Sequence, residues 1–177
     1  MDLISNLRSF LHLKPKELIV PGDIAATIAN CGGSVAQAEQ FPGVTDFLAR
    51  ELMRIHSAQL GEGKAGCMIA VSCTESAVLA SHLAYLAGTR FAAIQIQDGI
   101  AKMDRHQLIP KEKVVLVLDE CRNFIRLNEA MAALAPFKVQ VTAVACVINS
   151  TGRNDFSFLE RVPILSLYHG TLPSSAK

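Results

Sequence analysis

The chain of 177 residues contains no tryptophan, and aromatic residues make up only 6% of it. Single-stranded nucleic acids are gripped by stacking bases on aromatic side chains, and this sequence offers few. An excess of one charge is missing as well. Lys and Arg number 17, Asp and Glu 16, and the formal net charge is +1. A duplex binder gathers a basic surplus into a stripe, so no nucleic-acid partner is expected. Charged residues reach only 19%, against roughly 25% in an average soluble chain. No apolar run approaches the ~20 residues that span a bilayer, and no membrane partner is expected. The opening Met1-Asp-Leu-Ile-Ser-Asn-Leu-Arg puts an acid where a secretory leader carries its basic cluster, so a cytoplasmic location is expected. Cys-x-x-Cys is also absent. The five cysteines (Cys31, Cys67, Cys73, Cys121 and Cys146) are an odd number, and three lie in apolar segments. That suits reduced, buried thiols better than a disulfide framework or a zinc site.

What is present is core material: half of the residues are hydrophobic, enough for one α/β domain. Leu3, Ile4, Leu7, Phe10 and Leu11 recur at helical spacing, which predicts a helix over residues 2–12 packed on the domain or on a second copy of the chain. Pro15 and Pro21-Gly22 break the chain, and residues 23–40 are too rich in Ala and Gly to assign. A helix is expected from about Asp46 to Leu60, with Leu48, Leu52 and Ile55 on one face and Thr45 as N-cap. Residues 1–65 thus read as a helical segment packed on a core formed by residues 66–177.

In that core, continuous apolar runs alternate with helical stretches. Strands are expected at residues 67–72, 91–96, 114–119, 139–148 and 163–168, with helices over 76–87, closed by Gly88, and over 123–135, stopped at Pro136. Strands that are apolar on both faces belong to a parallel sheet covered on both sides. The expected fold is α/β, doubly wound, with a mainly parallel five-stranded sheet. Such sheets bind ligands beyond the carboxyl ends of their strands, so the residues after each run carry the information.

Ser72-Cys-Thr-Glu-Ser76 leads from a strand into a helix and suits an anion, though Thr74 and Ser76 would equally serve as ordinary caps. Asp119 and Glu120 stand at the tip of a buried strand, where they are costly to desolvate unless they bind something polar. A sugar diol would suit them, and Arg122 and Arg126 behind them would suit a phosphate. The alternative is a helix cap and a solvated face. Gln97 to Gln107 is a polar stretch carrying Lys102, Arg105 and His106, either a mobile cover or a plain connection, and Arg153 sits in a polar turn after the fourth strand.

An apolar strand ending in two acids, a loop into a helix, then a strand, a polar turn and Val162-Pro-Ile-Leu-Ser-Leu167 resembles the type I phosphoribosyltransferases, and among them the orotate phosphoribosyltransferases. The resemblance covers about residues 66–172. It implies a site for phosphoribosyl pyrophosphate (PRPP) formed by Thr74, Glu75, Ser76, Asp119, Glu120, Arg122, Asn123 and Arg126. It further implies Lys102, Asp119 and Glu120 as catalytic residues, Arg153 against the base, and Mg²⁺ carried in by PRPP. The corresponding phosphate loop is degenerate: Arg122-Asn-Phe-Ile-Arg126 contains no glycine, and Gln95-Ile96 stand where the family has two cations. Transfer of a phosphoribosyl group to a base such as orotate is therefore expected alongside an alternative, a catalytically silent nucleotide sensor or an oligomeric interaction module. A homodimer is expected.

Overall fold

The computed structural model describes residues 18–60, 65–72, 76–97, 100–103, 108–158 and 160–172. The helix expected over residues 2–12 lies outside them. Among the described residues, α1 (Ile24–Asn30), α2 (Val35–Ala38) and α3 (Pro42–Leu60) precede the sheet. Asp23 caps α1 through the Ala26 amide, and Ser34 caps α2 through that of Gln37. Between them Gly32 and Gly33 take φ of +111° and +91°, angles open to glycine and strained for other residues. That tight reversal delivers Ser34 and α2 to the sheet. Helix α3 starts at Pro42 rather than after Thr45, because proline's fixed φ is ready-made for a first helical turn. Thr45 is therefore inside the helix, its hydroxyl donating to the carbonyls of Glu39 and Phe41 at 3.2 and 3.4 Å. Val44, Leu48 and Leu52 recur every four residues and are buried.

The core continues with β1 (Cys67–Ala70), α4 (Ala77–Ala87), β2 (Arg90–Ala93), β3 (Gln95–Gln97), β4 (Ile100–Lys102), β5 (Lys113–Cys121), α5 (Ile125–Leu134), a 3₁₀ turn at Ala135–Phe137, β6 (Gln140–Asn149), β7 (Asp155–Ser157) and β8 (Arg161–His169). Gly88 closes α4 in the left-handed region, at φ +63°. Six strands form the main sheet in the order β2-β1-β5-β6-β8-β7. All five expected strands are there and pair in parallel. The sixth, β7, adds antiparallel to β8 at the edge. The second strand is shorter than expected: the chain leaves the sheet after Ala93, and Gln95–Gln97 pairs with Ile100–Lys102 in a separate hairpin. The polar stretch after residue 97 thus begins as a strand pair.

Two cores flank the sheet, as its apolar strands require. Val115 and Val117 of β5 face the one built with α1, α3 and α4, including Ile28, Leu48, Leu52 and Leu79. Val114, Leu116 and Leu118 face the other, with Leu127, Ala130 and Leu134 of α5 and Phe156 of β7. Among the described residues, no helix is long and apolar enough to cross a membrane.

Candidate functional site at the β1–β5 junction

From β1 the chain steps to one side to form β2, then returns to place β5 on the other side. The reversal opens a crevice between β1 and β5 at their carboxyl ends, the place where such sheets bind ligands. Pairing of β1 with β5 ends at Ala70–Val117, whereas β5 runs on beside β6 as far as Cys121–Asn149. Asp119 and Glu120, expected at the strand's tip, therefore lie within the last rungs of the β5–β6 ladder, with Cys121 ending the strand. A cleft of about 620 Å³ occupies this gap. Val71, Ser72 and Ser76 wall it from the β1 side, Leu118, Asp119 and Glu120 from β5. Arg122, Asn123, Ile125, Arg126 and Glu129 close it from the α5 side, and Ser34, Val35 and Ala36 lean in from α2.

Alternation along β5 breaks near its end, where Leu118 and Cys121 pack into the same core, and both acids line the cleft. Asp119 falls on the face of Val115 and Val117, toward α2 and α4, where its side chain meets that of Glu39. Glu120 accepts a hydrogen bond from the Ser150 hydroxyl at 3.3 Å and pairs with Arg122 at 2.9 Å. Arg126 pairs with Glu129 at 3.2 Å. Both guanidiniums in the cleft thus hold a carboxylate that a bound phosphate would share or displace.

The helices that open on the cleft, α4 and α5, start without a side-chain cap from their own N-cap residues, Ser76 and Phe124. At α5, the Asn123 Oδ1 accepts from the Ile125 amide at 3.0 Å. Residues 121–124 include none at positive φ, so the loop turns on ordinary backbone and does not form the alternating left-handed nest that glycines permit.

Of the expected site residues, Ser76, Asp119, Glu120, Arg122, Asn123 and Arg126 come together here. Thr74 and Glu75 lie outside the described residues. Lys102 is exposed on the β3–β4 hairpin, whose Ala101 and Met103 pack on the α5 side of the sheet, and it is not in the cleft wall. Arg153 is also outside that wall. Its guanidinium donates to Asp155 at 3.1 Å and stands 5.4 Å from the centre of the Phe124 ring, so it braces the loop from behind. Asp155 is held below the usual carboxylate range by Arg161, with Arg153 adding to the effect.

A second hollow of about 500 Å³ continues from the first, sharing Ser34, Glu120 and Arg122 and adding Gly33, Ser150, Thr171 and Leu172. The α2 residues, Glu39 and Ser150 carry no signal of their own in the sequence; only Gly32-Gly33-Ser34, a turn followed by a cap, hints that the chain doubles back there. Burial pushes the thiols of Cys67 and Cys121 up to about 11 and that of Cys146 higher still, so none of them is a nucleophile. Among the described residues, no three His, Cys, Asp or Glu side chains gather to hold a metal ion.

No protein-family model matches the chain, and no curated protein is similar to it in sequence. Solved structures are similar in fold. Adenine phosphoribosyltransferase from Trypanosoma brucei, in complex with AMP, pyrophosphate and ribose-5-phosphate, matches with a TM-score of 0.62 at 14% identity, over 80% of this chain and 71% of that one. Orotate phosphoribosyltransferase from Mycobacterium tuberculosis, in complex with inorganic phosphate, matches with a TM-score of 0.62 at 11% identity, over 89% and 94%. Adenine phosphoribosyltransferase from Saccharomyces cerevisiae gives 0.62 at 12%, over 74% and 83%. The chain has the α/β fold of the type I phosphoribosyltransferases. At such identities the likeness is one of fold.

Proposed function

We propose that this chain binds a phosphoribosyl ligand, PRPP or a nucleotide, in the β1–β5 cleft, and that transfer of the 5-phosphoribosyl group from PRPP to a nucleobase such as orotate is the reaction to test. One observation carries the reading: two strand-end acids and two arginines converge at the sheet's switch point, beside the first turn of α5. Asp119 and Glu120 accept from the ribose hydroxyls. Arg122, Asn123, Arg126 and the first-turn amides of α5 take the 5′-phosphate. Thr74, Glu75 and Ser76, with Lys102, are assigned to the pyrophosphate. The base is assigned to the second hollow, where Ser150 and Thr171 offer hydroxyls and Leu172 an apolar wall; Arg153 serves that side by bracing Phe124.

In the transfer, the bond from ribose C1 to the pyrophosphate oxygen breaks, and the oxygen leaves with the electron pair. A base nitrogen then forms the new bond at C1 and gives up its proton. The transition state is oxocarbenium-like, so the protein needs no covalent nucleophile, only placement and charge. Mg²⁺ would neutralise the diphosphate. Its fit here is as a ligand-borne ion, since hard oxygens from the diphosphate would fill most of its shell and the protein offers at most Asp119 and Glu120.

A second reading, binding without turnover as a nucleotide sensor, is favoured by the ordinary backbone of residues 121–124 and by the carboxylates already on Arg122 and Arg126. The two readings separate in an assay of PRPP consumption with orotate and purine bases, run on the wild type and on Asp119→Asn/Glu120→Gln. Turnover lost in a double variant that stays folded supports the transferase. Binding without consumption supports the sensor. Turnover unchanged in the double variant removes the ribose assignment.

A further inference from the structure

The loop that carries Arg122 and Asn123 has no glycine and no residue at positive φ between 121 and 124, so side chains have to hold its shape. The Cys121 thiol donates to the Asn123 carbonyl at 3.7 Å, and the Asn123 Oδ1 accepts from the Ile125 amide. Next in the loop is Phe124, the N-cap residue of α5, which packs on the core of that side. Its ring tilts against Phe156 at 5.4 Å between ring centres, and the Arg153 guanidinium lies over it, 5.4 Å from the ring centre. A cation at that range is attracted to the negative face of the ring.

Arg153 is itself tied down. It closes the turn after β6, whose base is the buried Asn149. The Asn149 side chain donates to the Arg153 carbonyl at 2.7 Å and accepts from the amide and hydroxyl of Thr151 at 3.1 and 2.7 Å. The Arg153 amide donates to the Thr151 hydroxyl oxygen at 3.2 Å. Its guanidinium donates to one oxygen of Asp155 at 3.1 Å, while Arg161 donates to the other at 3.0 Å. The same turn holds Ser150, which borders the second hollow and whose amide donates to the Cys121 carbonyl at 3.0 Å. Backbone and head group of Arg153 are thus both fixed, and the ring under the head group belongs to the residue that follows Asn123.

We propose that Arg153 is a positioning residue of the cleft: through Phe124 it holds the loop so that Arg122 and Asn123 face a phosphate, and it joins that loop to the turn beside the second hollow. The ligand half of this proposal rests on the phosphoribosyl reading. Arg153 acts from outside the cleft wall and touches neither sugar nor phosphate. Its acidic partner is Asp155, not a carboxylate on a base.

The test has a ligand-free arm and a ligand arm, and compares the wild type with Arg153→Ala, Phe124→Leu, the double variant, Arg153→Lys and Arg161→Ala. Without ligand, amide hydrogen exchange followed by NMR is expected to speed up at residues 123–126 in Arg153→Ala and to stay unchanged in β5 and β6. Arg161→Ala, which takes a guanidinium from Asp155 and leaves the Phe124 ring covered, is expected to exchange as the wild type does. Calorimetric titration with ribose 5-phosphate is expected to show affinity weakened roughly two- to fivefold in Arg153→Ala, the size of one exposed cation–π contact. Arg153→Lys, which keeps a cation but not the planar stack, is expected to fall between. In Phe124→Leu, adding Arg153→Ala is expected to cost little more, because the ring through which Arg153 acts is gone. Additive losses in the double variant, exchange at residues 123–126 that rises equally in Arg161→Ala, or unchanged affinity in Arg153→Ala overturns the proposal. If Phe124→Leu does not fold, the comparison of Arg153→Ala with Arg161→Ala decides it. Faster loop exchange in Arg153→Ala with no ribose 5-phosphate binding by the wild type overturns the phosphoribosyl reading, and the ligand half of this proposal with it, but leaves the brace standing.

Discussion

Asp119 and Glu120 are adjacent in sequence yet answer to different surroundings. Asp119 looks toward α2 and α4 and meets Glu39; Glu120 looks toward β6 and is held by Ser150 and Arg122. Hydrogen bonds to charged groups contribute about 1.5–3 kcal/mol each, so Asp119→Asn is expected to weaken PRPP or ribose 5-phosphate binding by roughly 10- to 100-fold, read by calorimetry. Ser150→Ala removes a single neutral donor to Glu120 and is expected to cost less, about threefold to tenfold. Glu39 also links stability to pH. Its carboxyl is raised from 4.5 to about 7 by burial, so its contribution is complete below the lower value and is lost as pH rises through the upper one. The slope for one proton is at most about 1.4 kcal/mol per pH unit. Urea unfolding at a series of pH values from 5 to 8 should show the wild type losing stability relative to Glu39→Gln, and parallel curves would contradict the assignment. The pairing of Glu39 with Asp119 could not be read from the sequence, since only the fold brings α2 to the end of β5.

Among the elements, β5 decides where the site is, because it outruns β1 and keeps its acids in the ladder with β6. Its apolar run from Val114 to Leu118 was legible, as were those of β1, β6 and β8, since strands buried on both faces cannot alternate. The weak elements were not. Asp155–Ser157 is three residues long, and the β3–β4 hairpin is short and partly polar, so neither carries enough periodicity to stand out. Helices α1 and α2 were obscured by their Ala and Gly content, although the Gly32-Gly33 turn is what presents Ser34 to the cleft. Gly33→Ala meets no atom within 4 Å, so its cost is the backbone angle alone. A loss of about 1–2 kcal/mol is expected, together with weaker ligand binding, read by thermal melting and calorimetry. On the opposite side, Phe156 is buried and tilts against Phe124 at 5.4 Å between ring centres. Phe156→Ala should cost about 3–5 kcal/mol and loosen the loop that carries Arg122 and Asn123.

At the scale of the molecule, the order β2-β1-β5-β6-β8-β7, with helices on both faces, places every strand end of interest on one side. The phosphoribosyltransferase fold was legible because apolar strands, helices and the strand-end acids recur in a fixed order. The chemistry was less so, because it depends on groups that converge from α2, β5, α5 and the turn after β6. The homodimer remains a proposal; sedimentation at twice the chain mass supports it, and a monomer at all concentrations contradicts it. The central claim is that the β1–β5 cleft holds a phosphoribosyl ligand. Isothermal titration of the purified chain with PRPP, with and without Mg²⁺, tests it most directly. Saturable, Mg²⁺-enhanced binding that disappears in Asp119→Asn/Glu120→Gln is the predicted result. No heat at millimolar PRPP, or binding that the double variant retains in full, would contradict it.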